Sequence, residues 1–155
     1  LCGDYTTDLH SLYTAWTTPA GLEKWFLRKA DFYSISQRLR ACDERIKKGD
    51  NYTWYWHGYD NDQLQKGTVL DINGQDMIKF SFSGDSIVTV RFKTHNQLTI
   101  IEIEQTNIPP EDDPEKNLFV QCQIGWTFYL ANLKSVTEGG KDLRNKRIDV
   151  LNCFK

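Results

Sequence analysis

Five strand-like runs follow one another through the middle of the chain, each closed by turn chemistry, and this succession constrains the fold more than any other feature. Tyr52 to Gly58 ends at Asp60-Asn61-Asp62, and Gln65 to Ile72 ends at Asn73-Gly74, a two-residue hairpin signal. Met77 to Phe82 ends at Ser83-Gly84-Asp85, Ile87 to Thr94 ends at His95-Asn96, and Gln97 to Gln105 runs out at Pro109-Pro110. Connections this short force antiparallel neighbours, because a parallel crossover needs a dozen or more residues. The pattern predicts an antiparallel meander.

Alternation along each run assigns the two faces of that sheet. Tyr52, Trp54 and Trp56 share one side, as do Ile78, Phe80 and Phe82, then Val88, Val90 and Phe92, then Ile101 and Ile103. Lys79, Thr89, Arg91, Lys93, Glu102 and Glu104 fall on the opposite side. One face is therefore aromatic and must be covered; the other faces water. The cover comes from the C-terminal third. Asp113-Pro114-Glu115 reads as a helix opening, with Asp113 as N-cap and Pro114 in the first turn. Phe119, Cys122, Trp126, Tyr129, Leu130, Leu133 and Val136 then recur at helical spacing up to Gly139-Gly140. A helix of about 25 residues is about 37 Å long, enough to cross a five- or six-stranded sheet.

Two short helices precede the meander. Leu9, Leu12, Tyr13 and Trp16 define the first, and Thr18-Pro19 opens a second that carries Leu22, Trp25 and Phe26. Between Lys29 and Asp50 two patterns compete: a helical face of Ile35, Leu39, Cys42 and Ile46, and a strand over Ala30 to Ser34. The segment is left as an irregular excursion. The expected fold class is α+β, a curved antiparallel sheet gripping one long C-terminal helix. With 155 residues the chain fits one domain spanning 1–155, with 141–155 as a C-terminal tail.

Composition narrows the function classes. Nineteen basic against 21 acidic residues give a formal charge of −2, so no charge excess points to nucleic acid or an anionic membrane. No apolar run reaches the ~18 residues of a membrane span, and no basic stretch leads into an apolar core at the start. A cytoplasmic location is the expectation. Cys2, Cys42, Cys122 and Cys153 lack any C-x-x-C pairing and are expected as reduced, buried or half-buried thiols. His10, His57 and His95 offer no metal-ligand spacing, and no metal or cofactor is expected. His57 alternates away from Trp56 and reads as a solvated or edge residue rather than a catalytic base. The acids at Glu111, Asp112, Asp113 and Glu115 are accounted for by helix capping, and Lys141, Arg144, Lys146 and Arg147 by a solvated basic tail or a partner contact. Glu102 and Glu104, which alternate with the apolar set, are expected in solvent rather than as an acid–base pair.

The aromatic share, 13%, is the unusual entry in the composition and supplies the candidate site. Trp25, Phe26, Trp54, Trp56, Phe80, Phe82, Phe92, Trp126 and Tyr129 are candidates to line a cavity between sheet and helix, with packing of the core as the plainer alternative. Gln105 falls on the inward face with Ile101 and Ile103, where its amide could orient a ligand or satisfy the core backbone.

Two stretches carry a family resemblance. Leu12-Tyr13-Thr14-Ala15-Trp16-Thr17-Thr18-Pro19-Ala20-Gly21-Leu22-Glu23-Lys24-Trp25-Phe26 is one, and Gly125-Trp126-Thr127-Phe128-Tyr129-Leu130-Ala131-Asn132-Leu133-Lys134-Ser135-Val136 with Glu138-Gly139-Gly140 is the other; Tyr52, Trp54 and Trp56 lie between them. Together they resemble the activator-of-heat-shock-ATPase-like proteins, from about Tyr5 to Asn145. The resemblance implies the helix-grip fold of the START-related (SRPBCC) superfamily, shared with the birch pollen allergen and polyketide cyclases. It implies a cavity between sheet and helix that holds a small apolar or amphipathic ligand. An interaction with a chaperone ATPase or another protein partner is the alternative, and a cyclase- or hydrolase-type enzyme ranks behind both. No catalytic residue set carries over. The chain departs from the family in having only Leu1 to Tyr5 ahead of the first helix, where a full strand is usual, and in the length of Ser34 to Asp50.

Overall fold

The structure, a computed structural model, describes residues 1–147. It contains a seven-stranded antiparallel sheet in the order β1-β7-β6-β5-β4-β3-β2. The strands are β1 (Cys2–Tyr5), β2 (Lys29–Tyr33), β3 (Asn51–Tyr55), β4 (Leu64–Ile72), β5 (Met77–Ser81), β6 (Ile87–His95) and β7 (Leu98–Thr106). Two short helices, α1 (Leu9–Thr17) and α2 (Pro19–Trp25), connect one edge of the sheet to the other, and α3 (Leu118–Thr137) lies across its aromatic face. This is the α+β helix-grip architecture.

The five runs of the meander are β3 to β7, and their faces follow the alternation. Tyr52, Trp54, Ile78, Phe80, Val88, Val90, Phe92, Ile101 and Ile103 are all buried. On the far side Lys93 pairs with Glu102 at 2.7 Å and Arg91 with Glu104 at 3.0 Å, so both glutamates stand in solvent beside cations. The β6–β7 hairpin turns on Asn96 and Gln97, both at positive φ. The β4–β5 connection is longer than the two-residue turn expected from Asn73-Gly74. It spans Asn73 to Asp76, because the Asn73 side-chain oxygen accepts from the backbone N–H groups of Gln75, Asp76 and Met77. Gly67 serves a packing need: the Tyr52 ring lies over it, so close that a Cβ would meet the ring.

α1 and α2 begin at Asp8, which accepts from the Ser11 N–H, and at Thr18, which accepts from the Gly21 N–H. They bury Leu12, Tyr13, Trp16, Leu22 and Trp25 against the sheet.

Three expectations are corrected. First, α3 starts at Leu118 with Asn117 as N-cap, not at Asp113; Asp113 instead accepts from the Glu115 N–H in a separate turn. The helix has 20 residues and is about 30 Å long. Second, Arg144 is no solvated tail residue. It is buried, and its guanidinium donates to the carbonyls of Glu23, Lys24 and Leu27, satisfying the C-terminal end of α2. Third, Cys2 and Cys42 are exposed free thiols rather than buried ones; Cys122 is half-buried, and Cys153 lies outside the described residues.

The excursion after β2 is irregular, as expected, but Ala30 to Tyr33 belong to a strand that pairs with β3. The loop beyond it is held by charge. Arg40 and Asp50 are both buried and bonded through two nitrogen–oxygen contacts, Asp50 also accepts from the Lys47 N–H at 2.8 Å, and Arg40 reaches Glu44 as well. Glu44 is shared with Arg38, and those bonds hold its carboxyl at about 2, well below its ordinary 4.5.

Asp50→Asn leaves the buried Arg40 guanidinium with Glu44 as its remaining ion partner and is expected to cost roughly 2–3 kcal/mol in a urea titration. Because the Glu44 carboxyl is depressed, its contribution is complete above pH 4.5 and is lost as the pH falls towards 2. An acid titration followed by tryptophan fluorescence should therefore be flatter across that window for Glu44→Gln than for the parent.

Candidate functional site

The second half of α3 is packed into the fold, and the first half stands off it. Trp126, Leu130, Asn132 and Leu133 are buried, whereas Phe119, Val120 and Ile124 are exposed. Asn132 fixes the packed end: its amide donates to the Trp25 carbonyl at 2.6 Å and accepts from the Leu143 N–H at 2.7 Å. Under the raised end a cleft of about 440 Å³ opens between helix and sheet.

Aromatic rings make its floor. Phe26 lies at the C-cap of α2, with Trp56 at 5.2 Å, Trp126 at 5.4 Å and Tyr129 at 4.7 Å between ring centroids. Phe82 extends the floor, 5.4 Å from Trp126. Leu118, Cys122 and Gly125 of α3 form one wall, and Tyr59 and Gln63 of the β3–β4 connection with Leu64 at the start of β4 form the other. At Gly125 a Cβ would meet nothing within 4 Å, so the wall is recessed there. Burial pushes the Tyr129 hydroxyl up to about 12 and raises the Cys122 thiol, so both stay protonated and neutral at neutral pH.

The ten sequence candidates divide between cleft and core. Phe26, Trp56, Phe82, Trp126 and Tyr129 line the cleft. Trp25 and Phe92 are packed away from it, Trp25 against Trp16 at 4.7 Å and Phe92 against Tyr13 at 5.4 Å. Trp54 and Phe80 border only an apolar void of about 10 Å³, too small for a ligand. Gln105 is turned inwards but engaged by the protein. Its oxygen accepts from the Trp126 indole N–H at 3.0 Å, and its nitrogen donates to the Ser86 hydroxyl at 2.8 Å and lies 3.4 Å from the Cys122 sulfur. It also lines a second opening of about 450 Å³ on the other side of α3, which shares Cys122 and Trp126 with the first. The first turns of α3 thus form a partition between two openings.

Sequence reasoning missed Tyr59, Gln63, Leu64, Ser83, Leu118 and Gly125. Periodicity had placed Cys122 on the inner helix face, but nothing in the turn composition around Asp60-Asn61-Asp62 marks Tyr59 as a wall. Among the described residues no group of histidine, cysteine and acid side chains is placed to hold a metal ion. No helix there is long and apolar enough to cross a membrane.

A curved antiparallel sheet, a long helix laid over it and an aromatic cleft between the two define the helix-grip class. The family profile described as "Activator of Hsp90 ATPase homolog 1-like protein" matches residues 6–138, and the chain belongs to that family. Among solved structures it is similar to a Staphylococcus saprophyticus protein (TM-score 0.69, 16% identity, covering 92% of this chain and 94% of that one). It is equally similar to a protein solved as the Aha1 dimer of Colwellia psychrerythraea (TM-score 0.69, 16% identity, 91% and 96% covered). A Plasmodium falciparum protein described as an HSP90 activator gives a TM-score of 0.64 at 17% identity, with 89% and 94% covered. No curated protein is significantly similar to the chain in sequence.

Replacing Gln105 by Leu removes the acceptor of the Trp126 indole N–H and the donor to Ser86. A loss of about 1–3 kcal/mol in urea denaturation is expected, the cost of unpaired buried polar groups. Trp126 emission should change in the folded state as well.

Proposed function

We propose that the chain is a cytoplasmic helix-grip domain that binds a small apolar or amphipathic molecule in the cleft between the sheet and the first half of α3. One observation carries this reading: an aromatic floor of Phe26, Trp56, Phe82, Trp126 and Tyr129 is left open beneath a helix that packs only at its other end. A volume of about 440 Å³ is in the range of small-molecule sites, and an apolar wall with a few polar groups is their usual composition. The exposed Cys2 and Cys42 thiols suit a reducing compartment. No residue set in the cleft pairs a nucleophile with a base, so binding without chemistry is the reading we adopt.

A second reading, contact with a chaperone ATPase, is favoured by the outer face of α3. Val120, Ile124 and Phe128 are spaced four residues apart and exposed, an apolar stripe of the kind a protein partner covers. The resemblance to the Plasmodium HSP90 activator agrees with it. Stimulation of the ATPase of the cognate Hsp90, lost on Ile124→Asp, is the outcome this reading requires.

Gly125→Leu separates ligand binding from stability. The new side chain projects from the recessed wall into the cleft and should abolish the fluorescence gain of Nile red on titration with the protein. Removing a helical glycine should meanwhile raise stability by about 0.5–1 kcal/mol. Native mass spectrometry of the parent should show an added mass that disappears on denaturation. Unchanged Nile red binding by a folded Gly125→Leu protein would rule the cleft out.

A further inference from the structure

A hollow of about 360 Å³ adjoins the aromatic cleft, and Tyr59 stands between them, lining both. The hollow has a different chemistry. Among the described residues, Arg28, His57, Lys146 and Arg147 line it, and Asp60 is the one acid in its wall.

The arrangement leaves positive charge in excess. The Arg28 guanidinium donates to the Trp56 carbonyl at 3.1 Å and to the Asn61 amide oxygen at 2.7 Å; both acceptors are neutral, so its charge is oriented but not cancelled. Lys146 reaches Asp142 at 2.7 Å, yet that carboxylate is already taken by Nε and Nη2 of Arg144, one anion serving two cations. His57 is affected in turn. Burial first, and then the nearby Arg144, Lys146 and Arg28, lower its basicity, so its ring is neutral at neutral pH and presents an N–H without adding to the charge.

We infer that the ligand is an amphipath with an anionic oxygen head, its apolar body along Trp56, Phe82 and Trp126 and its head in the hollow between Arg28, His57 and Lys146. This deepens the proposed ligand-binding reading and rests on it. The aromatic cleft supplies apolar burial, which does not discriminate between heads; the hollow supplies discrimination by charge. Arg28 is the stronger determinant, because its two neutral bonds hold it in place before any ligand arrives.

The test compares dodecyl probes that differ only at the head, each below its micelle-forming concentration, by isothermal titration calorimetry. Laurate should bind about tenfold more tightly than dodecylglycerol or dodecyltrimethylammonium, and acetate should not bind measurably. Arg28→Gln and Lys146→Gln should each weaken laurate about threefold and leave dodecylglycerol unchanged. Lys146 is solvent-exposed and outside the packed core, so its variant tests the charge even if Arg28→Gln disturbs the β3–β4 connection. Equal affinity for the three heads would overturn the anionic assignment and leave the cleft reading standing. Acetate binding as tightly as laurate would also overturn it, by revealing a site for free anions unconnected to the cleft. Failure of every dodecyl probe would overturn both readings.

Discussion

Trp126 is where the sheet, the short helices and the long helix meet. Its ring stacks on Trp16 of α1 at 6.1 Å, faces Phe26 at the end of α2 and Phe82 after β5, and lies edge-on to Phe80 of the sheet. Its indole N–H is bonded to Gln105 of the last long strand, whereas the equally buried Trp16 and Trp54 indoles have no such partner among the described residues. Because Gln105 is itself held by Ser86, the ring is fixed in rotation as well as in depth. N-terminal to Trp126 on α3 the contacts are lighter: Cys122 lies 3.4 Å from the Gln105 amide, and Leu118 sits beside Gly84. The cleft lies beneath these turns, N-terminal to the anchor that Trp126 makes at the ninth residue of the helix.

That division explains an odd feature of α3. Its sequence is apolar on nearly every side at the start, with Leu118, Phe119, Val120, Cys122 and Ile124 in close succession. A helix apolar all round is ordinarily buried all round. Here the inner residues face two openings and the outer ones face solvent. The excess of apolar surface is the physical basis for both functional readings: a molecule in the cleft would cover the inside, and a protein would cover the outside.

The sheet was legible because a two-residue period is a geometric constraint that burial on one face cannot violate. Every inward position assigned from alternation over β5 to β7 is inward in the structure. Depth was not legible. Trp54 and Trp56 share a face, yet Trp54 is 3% exposed while Trp56 is only half-buried, because β3 ends at Tyr55 and the chain there turns towards the rim. Alternation states which side a residue is on and says nothing of how far from the sheet's end it lies. The start of α3 failed for a different reason. Asp113-Pro114 and Asn117 are both competent helix openings, and the choice fell to Asn117, whose side chain accepts from the Val120 N–H. Arg144 was misread because, besides Asp142, its acceptors are carbonyls at the end of α2, more than a hundred residues upstream, and a carbonyl leaves no trace in sequence.

The order of strands has a consequence for how the molecule comes together. β1 is the first strand in the chain and pairs with the last, Cys2 opposite Glu102 and Tyr5 opposite Thr99, while β2, only two short helices later, lies at the far edge. The hairpins from β3 to β7 close over short distances, but β1 has no surface to join until β7 exists. Pairings of such separation slow folding. Tyr5, at the end of β1, donates from its hydroxyl to the Leu130 carbonyl of α3. The edge that completes the sheet is thus also the one that fastens the long helix, so the grip closes through the strand whose pairing spans the most sequence.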